Sequence, residues 1–183
     1  MELIKDISYG IKKNDMNVAK AVFKGYSGKV SGICHRYLKD KGEVDLIVEN
    51  VFLDFFNFIK KGSYNNSEDR KIMPVLKELT LRLLISYYVN SSEEKTFDPH
   101  PDYKERNDDQ LYVNGDSLEI VKAFDVLSIF ERFVLNMCIV EEYSISHIAD
   151  TLKENTDTIE QCYVSAKTKL LKKIREKYVL SEK

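Results

Sequence analysis

The sequence predicts an all-α protein of two small helical domains, residues 1–90 and 118–183, joined by a flexible acidic linker over 91–117. Three observations carry that prediction. Apolar residues recur every three to four positions, and no stretch alternates apolar and polar residues as a half-buried strand does. Charge is uneven: residues 1–90 carry net +4, residues 91–117 net −5 and residues 118–183 net −1. The acidic middle also holds Pro99 and Pro101 among many charges, which is the composition of a tether.

A length of 183 residues suits one medium domain or two small ones, and 43% hydrophobic content with 11% aromatic residues argues for packed cores over disorder. No run reaches the roughly 18–20 apolar residues that span a bilayer, so membrane insertion is not expected. The opening MELIKDISYGIKKND has no basic-then-apolar layout, so a cytoplasmic location is expected. Cys34, Cys138 and Cys162 include no CxxC pair and sit in apolar helical patterns, which reads as buried free thiols in a reducing compartment. His35, His100 and His147 are scattered, and there is no HExxH, paired-carboxylate or phosphate-cradling arrangement. Neither enzymatic activity, a metal nor a cofactor is expected.

The elements follow in order. Leu3, Ile4, Ile7 and Ile11 predict a first helix, broken at Lys12-Lys13-Asn14-Asp15. A second spans about Val18 to Lys39, with Val22, Tyr26, Val30, Ile33 and Tyr37 inward. Gly25, Gly28 and Gly32 inside it are expected to permit a close helix crossing, and Lys41-Gly42 to end the element with a glycine cap. A third helix starts near Glu43 and carries one apolar face, Val44, Ile47, Val48, Val51, Phe52, Phe55 and Ile59. It carries a second, Leu46, Leu53 and Phe56, flanked by Glu49, Asn50 and Asn57. A surface helix needs one apolar stripe, so this helix is either fully enclosed or docks a partner. Lys60–Lys71 is a polar loop, and Pro74 suits the first turn of a fourth helix running to about Val89. Its inward side chains are expected to be Ile72, Val75, Leu76, Leu79, Leu83 and Tyr87.

In the second domain a short helix, Ser144–Leu152, a turn, Lys153–Asp157, and a longer helix, Thr158–Lys177, fit a helix-turn-helix. Ser144 is a suitable N-cap, although His147 is not the Glu of a capping box. Ile159, Tyr163, Ala166, Leu170 and Ile174 take core spacing, and small Ala149 and Ala166 allow two helices to cross closely. That leaves Thr156, Thr158, Glu160, Gln161, Ser165, Lys167 and Thr168 outward. In a major groove Gln161 would address base edges while Lys167 and Lys169 engage phosphates. On periodicity alone, a plain helical hairpin with a solvated polar face is the favoured reading, because two amphipathic helices joined by a short turn are common.

Residue by residue, the chain resembles bacterial RNA polymerase sigma factors of the extracytoplasmic-function group. Ile11–Asp15 is similar to the family's I-K-K-G-D opening. Tyr26–Val30 and Ile33–Asp40 follow its first helix, and Val44–Phe52, VDLIVENVF, aligns without gaps to A-E-D-L-V-Q-E-V-F. Ile72–Tyr88 sits on the family's next helix. Arg132, Val134, Asn136, Glu141, Tyr143-Ser144, Ile148-Ala149, Leu152, Thr158 and Ala166-Lys167 also fall on family positions.

The resemblance implies a division of labour. Residues 1–90 would be the sigma region 2-like domain, which binds core RNA polymerase and the minus-ten element. Polymerase contacts would come from Glu49 and Asn50, with Leu46, Leu53 and Phe56 added from the periodicity. In the loop, Tyr64 would stack on a flipped promoter base and Asn65 or Asn66 would bond its edge, with Arg70 and Lys71 beside them. Lys77 and Arg82 would track phosphates. Residues 118–183 would be the region 4-like helix-turn-helix that reads the minus-thirty-five element. In this family an anti-sigma partner often covers both domains. Leu46, Glu49, Asn50 and Val75 depart from the family pattern, as do Glu160 and Ser165 where basic residues are usual. Free-standing DNA affinity should therefore be weak. A sigma-like relative that binds polymerase without initiating transcription, or a stand-alone helix-turn-helix regulator, are the alternatives.

Overall fold

In the computed structural model, which describes residues 3–62, 71–91 and 124–181, the chain is all-helical. The helices are α1 (Ile4–Lys12), α2 (Met16–Tyr37), α3 (Lys41–Lys61), α4 (Ile72–Asn90), α5 (Ile129–Ile139), α6 (Ile145–Leu152) and α7 (Thr156–Ser181). A single 3-10 turn, Phe124–Val126, precedes α5. The chain divides into two compact units, Met1–Asn90 and Ser91–Lys183.

The boundaries in the first unit follow from local hydrogen bonding. Asp6 accepts the Leu3 N–H at 2.9 Å at the start of α1, and Asn14 takes the left-handed conformation (φ 57°) that ends it. Asp15 then caps α2 by accepting the Asn17 N–H at 2.8 Å, and Asp40 caps α3 by accepting the Glu43 N–H at 3.0 Å. Gly62, at φ 64°, closes α3 in a conformation that costs glycine little. Gly42 is therefore not a C-cap. It lies in the first turn of α3, which extends back to the capping Asp40.

The buried face of α3 organises the unit. Val44, Ile47, Val48, Val51, Phe52, Phe55 and Ile59 are all buried, as the sequence period predicts. They pack among the helices α1, α2 and α4, which supply Ile4, Ile7, Ile11, Val22, Tyr26, Val30, Leu76 and Leu84 to the core. Each such side chain is worth about 1.5–3 kcal/mol relative to exposure. In α4 the expected inward residues Leu83 and Tyr87 are only half-buried, and Leu84 and Tyr88 take their place. Ile72, Leu76, Thr80, Leu84 and Tyr88 step by four along α4, a slanting row that also buries a polar Thr80. Its hydroxyl is satisfied by donating to Leu76 O at 2.6 Å.

The glycines correct another expectation. Gly25, Gly28 and Gly32 are exposed, and among the described residues a Cβ built on any of them meets nothing within 4 Å, so none permits a close crossing there. The glycine that does so is Gly10, where an added Cβ would lie 2.6 Å from Val18 Cγ2.

In the second unit, Ser128 caps α5 through a reciprocal box with Glu131. Leu127, Phe130, Phe133, Val134, Leu135 and Met137 are buried, with Ile148, Ala149 and Leu152 from α6 and Ile159, Cys162, Ala166 and Leu170 from α7. Arg132 is buried as well, its guanidinium held at 2.9 Å by the exposed Asp125 carboxylate of the 3-10 turn.

Gly28→Ala should stabilise the first unit by about 0.5–1 kcal/mol in urea unfolding, by removing helix-interior glycine entropy from an open site. Gly10→Ala should destabilise it, because Val18 must move.

Candidate polymerase-binding and nucleic-acid interfaces

The partner face expected on α3 is open. Leu46 is 51% exposed and Leu53 56% exposed, with Glu49 exposed and Asn50 half-buried beside them. All four lie on the side opposite the core stripe. A helix enclosed on both faces would hide both leucines, so α3 is not fully enclosed among the described residues. Phe56 behaves differently. It is half-buried at the edge of an aromatic group, its ring 6.1 Å from Phe52 and 5.9 Å from Phe55, and Phe52 in turn stacks at 4.8 Å on the part-exposed Phe23 of α2. Phe23 and Met16, seven residues apart on α2 and both exposed, extend the apolar rim, although the sequence analysis does not single them out.

Most of the expected minus-ten constellation, Tyr64, Asn65, Asn66 and Arg70, lies outside the described residues. Lys71 is exposed and pairs its backbone with Leu3 in an isolated antiparallel bridge. The expected phosphate track of Lys77 and Arg82 is not a single line. Five residues separate them, about 140° around a helix of 3.6 residues per turn. Arg82 is exposed and pairs with Asp54 of α3 at 3.1 Å, whereas Lys77 is half-buried. An exposed pair of this kind contributes about 0–1 kcal/mol, so Arg82 can exchange it for a phosphate.

In the second unit a short helix, a tight turn and a long helix follow one another in the expected order, as α6, residues 153–155 and α7. Ser144 Oγ accepts the His147 N–H at 3.2 Å to start α6, and Lys153, at φ 58°, ends it in the left-handed conformation. Asn155 Oδ1 then accepts the Thr158 N–H at 2.7 Å, so α7 starts two residues earlier than the periodicity alone predicts. Ala149 and Ala166 are both buried. Thr156, Glu160 and Gln161 are exposed at the start of α7, and Thr158, Lys167 and Thr168 are half-buried.

Two expected DNA contacts fall elsewhere. Ser165, predicted outward, is 2% exposed, and its hydroxyl donates to Glu131 Oε1 at 3.1 Å. Lys169, predicted to engage phosphate, lies one turn further on the same stripe and places Nζ 2.8 Å from the same oxygen. Both deviations have one cause, a buried carboxylate on α5 that the sequence analysis does not single out. The signal is nonetheless in the chain, because Ser128-Ile129-Phe130-Glu131 is a capping-box sequence. Exposed Lys172 and Arg175 lie 11 and 14 residues beyond Gln161, near its face of α7, and are the basic residues better placed to accompany it.

Among the described residues, no helix is long and apolar enough to cross a membrane, and no group of three or more His, Cys, Asp or Glu is placed to hold a metal ion. No family model matches the chain, and no curated protein gives a significant match to it.

The three cysteines are free, Cys34 and Cys162 buried and Cys138 half-buried. Burial pushes the Cys34 thiol up from 9.0 to about 12, against a smaller lowering by a backbone hydrogen bond and Arg36. It pushes Cys138 up to about 11, and burial together with the charge of Glu131 raises Cys162 further. Because the folded state favours the neutral Cys34 thiol, its contribution to stability is complete below pH 9.0 and is lost as pH rises through about 12. At pH 8 the native chain should react slowly with a thiol-specific disulfide reagent, whereas the urea-unfolded chain should titrate three thiols at once.

Proposed function

We propose that this protein is a transcription initiation factor of the extracytoplasmic-function sigma type. It binds core bacterial RNA polymerase and directs it to specific promoters. The observation that carries the reading is α3, which buries seven apolar side chains and still exposes Leu46 and Leu53 beside Glu49 and Asn50. Such a helix has a second apolar face with no intramolecular use among the described residues, and the resemblance assigns polymerase binding to this stretch. The capped helix-turn-helix of α6 and α7 supports the DNA-reading half of the proposal.

In this reading the first unit is the region 2-like domain, the second the region 4-like domain, and the chain between them a linker. Core polymerase binds the Leu46, Glu49, Asn50, Leu53 and Phe56 face. The loop holding Tyr64, Asn65, Asn66, Arg70 and Lys71 engages the minus-ten strand, with Arg82 and Lys77 reaching phosphates. The face of α7 around Gln161 reads the minus-thirty-five element. An anti-sigma factor is a further partner that fits this layout. The factor works inside the cytoplasm and performs no chemistry of its own, because bond formation belongs to the polymerase.

The acidic start of α7 favours a second reading, a sigma-like protein that binds polymerase but reads DNA poorly. Asp157 and Glu160 are exposed there, where phosphate attraction would call for positive charge.

The test is co-elution of the full chain with core polymerase on size exclusion, followed by promoter-dependent transcription. Leu53→Asp should raise the dissociation constant for polymerase at least about tenfold, because charge is buried in an apolar contact. It should leave the unfolding midpoint nearly unchanged, since Leu53 is outside the core. Failure of the native chain to co-elute would overturn the reading, and co-elution without any transcript would select the second one.

A further inference from the structure

Glu131 is the only buried acidic side chain among the described residues, at 1% exposed. Both of its oxygens are committed. Oε2 accepts the Ser128 N–H at 2.9 Å within the α5 cap, while Oε1 accepts from Ser165 Oγ at 3.1 Å and from Lys169 Nζ at 2.8 Å on α7. A carboxylate removed from water needs these partners, so Lys169 cannot leave for a phosphate without stranding a buried charge. An exposed pair such as Arg82 with Asp54 carries no such constraint.

Helix geometry gives the pair a second consequence. Cys162, Ser165 and Lys169 follow one another at three- and four-residue steps, so they form one stripe, and Glu131 meets it from α5. Gln161, Thr168, Lys172 and Arg175 form a neighbouring stripe that is exposed or half-buried. Fixing the first stripe against α5 fixes the rotation of α7 about its axis, and with it the direction of the second.

We propose that Glu131 is a positioning residue for DNA reading. It acts as an internal counter-anion that withholds Lys169 from the DNA backbone and aims the Gln161–Lys172–Arg175 stripe of α7 at the groove. This rests on the promoter-reading function proposed above. It predicts a DNA-binding helix whose phosphate contacts come from Lys172 and Arg175, with Lys169 serving only the internal pair.

Two measurements test it. The first needs no DNA: amine acylation of the free full-length chain, read lysine by lysine by mass spectrometry. Lys169 should react more slowly than Lys172 in the native chain, and in Glu131→Gln the difference should close. Equal rates in the native chain would overturn the pair and the proposal together.

The second is the salt dependence of promoter binding by the chain assembled with core polymerase. Lys172→Gln should make the slope of log K against log salt shallower by about one, the loss of one phosphate contact. Lys169→Gln should leave that slope unchanged, and Glu131→Gln should steepen it by about one as Lys169 is released. If Lys169→Gln flattens the slope as Lys172→Gln does, Lys169 is a phosphate contact and the proposal is overturned; this arm stands even if Glu131→Gln fails to fold. If the native assembly binds no promoter at all, the promoter-reading function falls and takes the role of Glu131 with it, while the acylation rates still report the pair.

Discussion

The first unit depends on one constraint: the seven buried side chains of α3 must be covered at once. No single neighbour can do this, because the stripe is wide and drifts around the helix. Helices α1, α2 and α4 each take part, and their own sequences are consistent with that duty. Gly10 lets α1 and α2 meet without a Cβ against Val18, and the four-step row on α4 accepts a buried Thr80 to keep its contact. With so much of α3 occupied inward, the exposure of Leu46 and Leu53 on its other side is a cost the fold itself does not need. Under the proposed function, that exposed pair is the surface that meets the polymerase.

In the second unit the organising group is polar. Glu131 sits where an apolar residue would pack without desolvation, and apolar replacements of buried ion pairs are often neutral or stabilising. What a carboxylate adds there is direction. It binds its own helix cap and two named residues of α7, so the angular setting of α7 is specified by geometry and not only by shape. Arg132, the next residue, does similar work on the other side by holding the 3-10 turn through Asp125. Desolvation lowers the Arg132 pKa, and its hydrogen bond with Asp125 opposes that shift, so the pair keeps a buried cation charged.

Much of this was legible in the sequence where one rule decides alone. A strict apolar period identifies every buried residue on the α3 face and most of those on α2 and α7, because burial there is set by helical repeat. Ser144 starts α6 as its residue type predicts. The period fails where a polar group takes a core position. Ser165 and Lys169 look solvent-facing by type, yet both turn inward toward an acid more than thirty residues earlier. Leu83 and Tyr87 fall outside the core for a related reason: the buried row runs in four-residue steps from Leu76 through polar Thr80 to Leu84 and Tyr88. The glycines of α2 show the opposite error: small residues at helical spacing suggest a crossing, but only a neighbouring helix makes one, and none among the described residues approaches them. Glu131 itself was findable, because a serine three residues before a glutamate ahead of an apolar run is a helix start with a defined carboxylate position.

Taken with the proposed function, the internal pairing of Lys169 has a consequence for how such a factor would find DNA. Removing one lysine from the backbone, beside exposed Asp157 and Glu160, limits the sequence-independent attraction of α7 to what Lys172 and Arg175 supply. An isolated domain of this kind would spend little time on random DNA. Joined through a tether to a second promoter contact on one polymerase, it needs no such attraction, because the first contact supplies the effective concentration for the second. Weak phosphate attraction lowers the occupancy of promoter and random DNA alike. Discrimination then comes from the base edges that a promoter offers to Gln161, which add to the backbone contacts that any site supplies.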